Sequence, residues 1–253
     1  MTPQAMYLDL LKKALTDTIR RDEPNHDDQN FAHFIHGFVQ HYIRGGAYTM
    51  VPVKRLDNIQ ECLDKIEKDH VAGDLIETGV WRGGSTIFMR AYLKVWGITN
   101  RKVWVADSFE GLPEPDAAQF PLEAKAHSSK LMTDEYKHLA VSLGEVRANF
   151  KRFDLLDDQV VFLEGWFRDT LPSAPIERLA LLRLDGDYYE STMDSLVNLY
   201  PKVSVGGYVI IDDYGEDQWT HCRQAVCDFR KKYDVREMLV KVDTKCYYWK
   251  RTH

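Results

Sequence analysis

The stretch Asp74-Leu-Ile-Glu-Thr-Gly-Val-Trp-Arg-Gly-Gly-Ser-Thr86 constrains this chain more than any other. Leu75 and Ile76 belong to an apolar strand that ends in an acid, Glu77. Gly79, Gly83 and Gly84 then make a tight turn, because glycine tolerates positive φ and lets a ligand approach the backbone closely. A helix opens at Ser85 and Thr86, and Ser85 is expected to cap its first amides. Strand, glycine turn and helix in this order make the opening unit of an α/β sheet.

The spacing of the glycines limits the ligand. A dinucleotide fingerprint reads G-x-G-x-x-G, whereas this turn reads G-x-x-x-G-G, a poor cradle for pyrophosphate. Glu77, just ahead of the first glycine, would repel pyrophosphate but could meet an amino group or a sulfonium charge. S-adenosylmethionine is therefore the leading candidate.

Beyond this unit, strand and helix patterns alternate, which calls for a mostly parallel sheet with helices on both faces. Strands are expected at 74–78, 102–106, 160–163, 179–184 and 208–211, and helices at about 85–95, 135–150 and 190–200. Asp107 ends the second strand, one βαβ step beyond Glu77, where its carboxylate can accept hydrogen bonds from both hydroxyls of a ribose. Trp166 or Phe167, after the third strand, is placed to flank an adenine ring. Residues 112–138 lack a clean period, and a stretch of that length inside a compact domain reads as a lid over the site.

Ahead of the sheet, apolar residues recur at helical spacing over 5–21, over the aromatic-rich Phe31–Ile43 and over Lys54–Lys68, with an extended segment at 47–53. The division expected is an N-terminal helical portion, residues 1–70, packed on a core of residues 71–253.

Composition excludes several classes. A formal net charge of −6 gives no electrostatic footprint for nucleic acid or an anionic membrane. Cys62, Cys222, Cys227 and Cys246 show neither C-x-x-C pairing nor zinc-finger spacing, so reduced, structural thiols are expected. Asp9 interrupts the N-terminus, no signal-peptide h-region follows, and no apolar run approaches the ~18 residues of a span. A cytoplasmic protein is the expectation.

Acids cluster at two further strand ends. Leu179–Leu184 is apolar apart from Arg183 and runs into Asp185-Gly-Asp187, and Tyr208–Ile211 runs into Asp212-Asp213. The ends of neighbouring strands lie roughly 5 Å apart, or 10 Å if one strand intervenes. Carboxylates so close repel unless a cation joins them, and hard divalent ions prefer oxygen ligands, which points to Mg²⁺.

Taken together, Glu77-Thr-Gly-Val-Trp-Arg-Gly-Gly84, Val105-Ala-Asp-Ser-Phe109, Gly165-Trp-Phe167, Asp185-Gly-Asp187 and Ile211-Asp-Asp-Tyr214 resemble the macrocin O-methyltransferase family. Tyr7-Leu-Asp-Leu-Leu-Lys12, Tyr48-Thr-Met50, Lys54-Arg-Leu56 and Tyr248-Trp249 extend the match over nearly the whole chain. The resemblance implies a class I (Rossmann-like) methyltransferase fold with an N-terminal helical extension, use of S-adenosylmethionine and Mg²⁺, and assembly as a homo-oligomer. Its acceptors are sugar hydroxyls of glycosylated natural products. It places Asp185, Asp212 and Asp213 on the metal, makes Asp187 the general base, and lets Thr49 and Met50 line the pocket. The cofactor set is then Thr49, Met50, Glu77, Thr78, Gly79, Arg82, Gly83, Ser85, Asp107, Ser108, Gly165 and Trp166.

On this reading two neighbouring hydroxyls of the acceptor chelate the metal and Asp187 takes the proton, with His127 or His138 as alternative bases. A catechol or other phenol acceptor and a non-catalytic binding protein on the same fold are the competing readings. Retention of so many costly clustered acids speaks against the latter. The absence of a Tyr-x-x-x-Lys pair disfavours a nicotinamide oxidoreductase, and the absence of a G-x-S-x-G elbow disfavours a serine hydrolase.

Overall fold

The computed structural model describes residues 1–24, 37, 39–128, 137–215 and 220–253. Its centre is a seven-stranded sheet in the order β3-β2-β1-β4-β5-β7-β6. The strands are β1 (Asp74–Thr78), β2 (Val103–Asp107), β3 (Val160–Glu164), β4 (Leu179–Leu184), β5 (Val203–Ile211), β6 (Val240–Lys241) and β7 (Tyr247–Lys250). The first five run parallel, while β7 lies antiparallel to both β5 and β6.

Side chains alternate across the strands, so each strand feeds two cores. Leu75 and Leu181 join one apolar cluster, and their neighbours Ile76 and Leu182 join the other. The first face is covered by α1 (Pro3–Leu15), α2 (Val53–Lys68), α3 (Gly84–Val95) and α5 (Leu143–Arg152), through residues such as Leu8, Leu63, Phe88 and Phe150. The second is covered by α7 (Tyr189–Leu199) and α8 (Thr220–Lys232), through Leu196, Leu199, Val226 and Phe229. Two short helices, α4 (Pro121–His127) and α6 (Phe167–Thr170), sit in the connections. Helix α2 buries Leu56, Ile59, Cys62, Leu63 and Ile66 on one face, each leucine and isoleucine worth roughly 1.5–3 kcal/mol of transfer free energy. No helix among the described residues is long and apolar enough to cross a membrane.

Several bounds differ from expectation for local reasons. Helix α1 stops at Leu15, where the Thr16 hydroxyl turns back onto the Lys12 carbonyl at 2.9 Å and Asp17 adopts φ +62°. Helix α5 begins only at Leu143, because Ser142 is extended and its Oγ caps the Glu145 amide. Most of the aromatic segment Phe31–Ile43 lies outside the described residues, and its end, Val39–Ile43, is a π-helical turn. Sequence patterning did not anticipate α8, β6 or β7.

Strand order reverses between β1 and β4, and a crevice outside the carboxyl ends of the strands is expected at such a point. Register fixes what meets there. Thr78 pairs with Leu184, the Asp185 amide donates to the Thr78 carbonyl at 2.9 Å, and the Asp212 amide donates to the Leu184 carbonyl at 2.9 Å. The turns after β1, β4 and β5 are thereby held side by side.

Candidate active site

A cleft opens at this point. Gly79, Val80 and Trp81 form its floor on the β1 side, and Asp107 and Ser108 border it at the end of β2. Trp166 and Phe167 enter after β3, Asp185, Gly186 and Asp187 after β4, and Met50, Leu112, Pro113 and Leu139 add apolar surface. Gly79 has φ +89°, and a Cβ there would lie 1.8 Å from the Asp185 carbonyl oxygen, so no other residue fits between the two turns.

Backbone amides orient Asp107. Val80 N–H donates to its Oδ2 at 2.7 Å and Phe109 N–H to its Oδ1 at 2.8 Å. Burial raises the Asp107 pKa against the pull of these amides and that of Trp81. Ser108 donates to the Gly111 carbonyl at 2.9 Å, and Gly165, with φ +132°, donates its N–H to the Asp107 carbonyl, which delivers Trp166 to the cleft. A carboxylate held by amides, flanking aromatic rings and a glycine floor fit the ribose and adenine of S-adenosylmethionine.

Other residues assigned to the cofactor from sequence lie behind this surface. Glu77 is fully buried: Ser85 Oγ lies 2.6 and 2.5 Å from its two oxygens, and Arg183 Nη1 pairs with it. Its pKa is raised, mainly by burial, with Arg183 opposing. Ser85 therefore does not cap α3. The N-cap is Gly83, at φ +85° and without a side-chain bond, since the Ser85 hydroxyl is committed to the buried acid. Arg82 donates to the carbonyls of Ala47 at 2.8 Å and Tyr42 at 3.2 Å, fastening the segment ahead of α2. Thr78 is buried, and Thr49 Oγ1 accepts from the Val51 amide at 3.0 Å. Gly84 donates to the Tyr48 carbonyl at 2.9 Å, and this contact carries Met50 to the cleft.

The acidic end is tightly drawn together. Among the described residues, one oxygen each from Asp185, Asp212 and Asp213 lie within 4.8 Å of one another. Arg183, fully buried in β4, donates to Asp185 at 2.7 Å and also pairs with Asp212. Arg55, from α2, donates to the other Asp212 oxygen at 2.6 Å and to Asp243 at 2.7 Å. Among the described residues, these two guanidinium groups face Glu77, Asp185, Asp212 and Asp243, with Asp213 beside them, so more carboxylates than guanidinium groups meet here. Burial raises Asp213 well above the ordinary carboxylate value, and Asp187, Asp185 and Asp212 push it further. Among the described residues, Asp213 Oδ2 is buried without a hydrogen-bond partner. An orphaned anionic oxygen among oxygen donors fits a hard divalent cation.

Asp187 borders the cleft at φ +57°. Of the lid histidines, His127 Nδ1 lies 3.0 Å from the Tyr188 hydroxyl, and the His138 carbonyl accepts from Trp81 Nε1 at 2.8 Å. Helix α4 docks where Glu123 accepts from the Tyr189 amide at 3.1 Å and Phe120 stacks on Tyr189. Residues 129–136 of the expected lid lie outside the described residues.

Sequence reasoning missed the roles of Arg55, Arg183 and Asp243. Only Arg183 carried a signal, a charge in the middle of an otherwise apolar strand, which must find partners when buried. Trp81, at φ +49°, and Leu139 were likewise not picked out as lining residues.

Residues 43–251 match the macrocin-O-methyltransferase (TylF) family. Over 98% of its length the chain is 50% identical to the 8-demethyl-8-(2,3-dimethoxy-alpha-L-rhamnosyl)-tetracenomycin-C 4'-O-methyltransferase of Streptomyces olivaceus, covering 93% of that protein. It is 46% identical to the demethyldecarbamoylnovobiocin O-methyltransferase of Streptomyces niveus, covering 98% of this chain and 94% of the other. The solved structure of the O-methyltransferase NovP superposes with a TM-score of 0.85 at 45% identity, covering 99% of this chain and 100% of that one. The calicheamicin methyltransferase CalS11 shares the fold, with a TM-score of 0.62 at 17% identity over 99% and 93% of the two chains. The sheet is thus that of a class I methyltransferase, a family setting that implies S-adenosylmethionine as methyl donor, and the chain is a methyltransferase belonging to the macrocin O-methyltransferase family.

Proposed function

We propose that this chain is an S-adenosylmethionine- and Mg²⁺-dependent O-methyltransferase acting on a sugar hydroxyl of a glycosylated natural product. The observation that carries the metal half of this reading is the triad Asp185, Asp212 and Asp213, with its Asp213 oxygen unpartnered among the described residues, at the edge of the cleft that Asp107 borders. The named relatives support the acceptor class, since they methylate a rhamnosyl tetracenomycin and a demethyldecarbamoylnovobiocin.

Asp107 receives the ribose hydroxyls, and Trp166 and Phe167 flank the adenine, so the methyl donor is bound in one orientation. S-adenosylmethionine supplies the methyl group. Asp185, Asp212 and Asp213 would hold Mg²⁺ beside the bound acceptor, where a divalent ion supplies Lewis-acid polarisation of two neighbouring hydroxyls. Asp187, which borders the same cleft, takes the hydroxyl proton. The carboxylate is a weak base for a free alcohol, so it serves here only for an acidified one. The remaining contribution of the chain is alignment of nucleophile, methyl and leaving sulfur, which the short links between the turns after β1 and β4 enforce.

The deciding experiment incubates the purified protein with S-adenosylmethionine and a panel of glycosides, with and without a vicinal diol, and catechols, in Mg²⁺ or in EDTA. Methyl transfer to vicinal-diol glycosides that stops in EDTA and returns with Mg²⁺ supports the reading. Transfer that EDTA leaves unchanged removes the metal, and transfer to catechols alone moves the acceptor to phenols.

A further inference from the structure

A buried arginine must spend its donors, and where they go is informative. Arg55, on α2, is 5% exposed. Its Nε donates to Asp243 Oδ2 at 2.7 Å and its Nη2 to Asp243 Oδ1 at 3.3 Å, a two-pronged pairing along one edge of the guanidinium. Asp243 lies in the turn between β6 and β7, and that turn fixes it: the amides of Lys245 and Cys246 donate to its Oδ1 at 2.9 and 2.7 Å. With one edge held, the remaining Nη1 reaches Asp212 Oδ2 at 2.6 Å. Arg183 takes the other oxygen of Asp212. Neither oxygen of this carboxylate is free to turn, whereas Asp213 beside it keeps an unpartnered oxygen.

We infer that Arg55 is a positioning residue of the metal site, which, anchored by Asp243, fixes the Asp212 carboxylate in the orientation that binds the ion. This inference rests on the proposed reading of the triad as a Mg²⁺ site. It ties the site to two distant parts of the chain, helix α2 and the β6–β7 turn. Two effects of Arg55 oppose one another. Its positive charge repels a cation, so a purely electrostatic role would weaken metal binding. Orienting a ligand strengthens metal binding, and loss of such an outer partner typically costs about 10–100-fold in metal affinity. The sign of the change on substitution therefore separates the two.

The test is titration of Mn²⁺, followed by the electron paramagnetic resonance signal of the free ion, into the wild type, Arg55→Lys and the double variant Arg55→Met/Asp243→Asn. The lysine keeps the charge without the planar fork. The double variant removes fork and anchor together and leaves no unpaired Asp243. Positioning predicts Mn²⁺ dissociation constants raised about 10-fold in Arg55→Lys and 10–100-fold in the double variant. It also predicts S-adenosylmethionine affinity, measured in EDTA, within about twofold of wild type, since Arg55 is not among the residues that line the cleft bordered by Asp107. Wild-type affinity in Arg55→Lys, or tighter binding by the double variant, overturns positioning while leaving the metal reading intact. Parallel loss of Mn²⁺ and S-adenosylmethionine binding assigns Arg55 to the fold alone and overturns it too. A wild type that binds no Mn²⁺ overturns the metal reading and this inference with it.

Discussion

The acids at the ends of β1 and β2 part company, whereas those at the ends of β4 and β5 are drawn together. Glu77 pairs with Val105, so Asp107 stands two residues further along the adjacent parallel strand; Glu77 is sealed by Ser85 and Arg183, whereas Asp107 borders the cleft on backbone amides. Asp185, Asp212 and Asp213 instead converge, and the two guanidinium groups near them leave at least one oxygen unanswered. Topology sets where an acid stands. What it does depends on whether the chain supplies its own counter-charge.

Arg183 is the residue both regions share, and its loss should have the largest effect. Arg183→Met takes the guanidinium away from three acids, and breaking a buried ion network in this way costs about 3–5 kcal/mol, read by urea denaturation. A loss below about 1 kcal/mol, the range of an exposed pair, would show that Arg183 does not separate the two regions. Next comes Asp107→Asn, which removes the charge from the ribose contacts. Titration calorimetry should show S-adenosylmethionine binding weakened by about 10–100-fold, the worth of a charge-assisted hydrogen bond. An unchanged affinity would take Asp107 out of the cofactor site.

Ser85→Ala sharpens the contrast from the other side. It removes a hydrogen bond to a buried carboxylate and should lower stability by about 1–2 kcal/mol while leaving cofactor affinity alone. A matching fall in affinity would return Glu77 to the ligand. The smallest effect concerns pH. Burial pushes Asp243 up, but Arg55 and the amides of Cys246 and Lys245 outweigh it and hold the pKa below the usual carboxylate range. A depressed folded pKa contributes stability above the unfolded value, near 3.9, that is lost as pH falls through the folded one. Asp243→Asn should therefore flatten the decline of stability with acid below about pH 4. A decline as steep as in the wild type would mean that Asp243 is not charged against Arg55.

Much of this was legible in the sequence because it is local. The strand ends, the glycine at Gly79 and the acids after β2, β4 and β5 follow from short patterns, and parallel pairing then brings the acids to one edge. Ser85 shows where local reading stops. Its position at the start of a helix suggests a cap, but a buried glutamate eight residues back takes its hydroxyl. Arg55 shows a longer failure, since Asp212 and Asp243 lie 157 and 188 residues away from it in sequence and no pattern within a helix announces such partners. The β7 strand was missed because its antiparallel insertion beside β5 departs from the alternation that governs the other strands.

Trp81 stands in the floor of the cleft with its indole nitrogen bound to the His138 carbonyl, and Trp166 borders the same space. Trp104 and Trp249 are sealed in the core. The chain thus carries its own optical reporters: the emission of Trp81 and Trp166 registers what enters the cleft, against a background that includes the core indoles and the exposed Trp96. Occupancy of the site is readable in real time, without a label and without turnover.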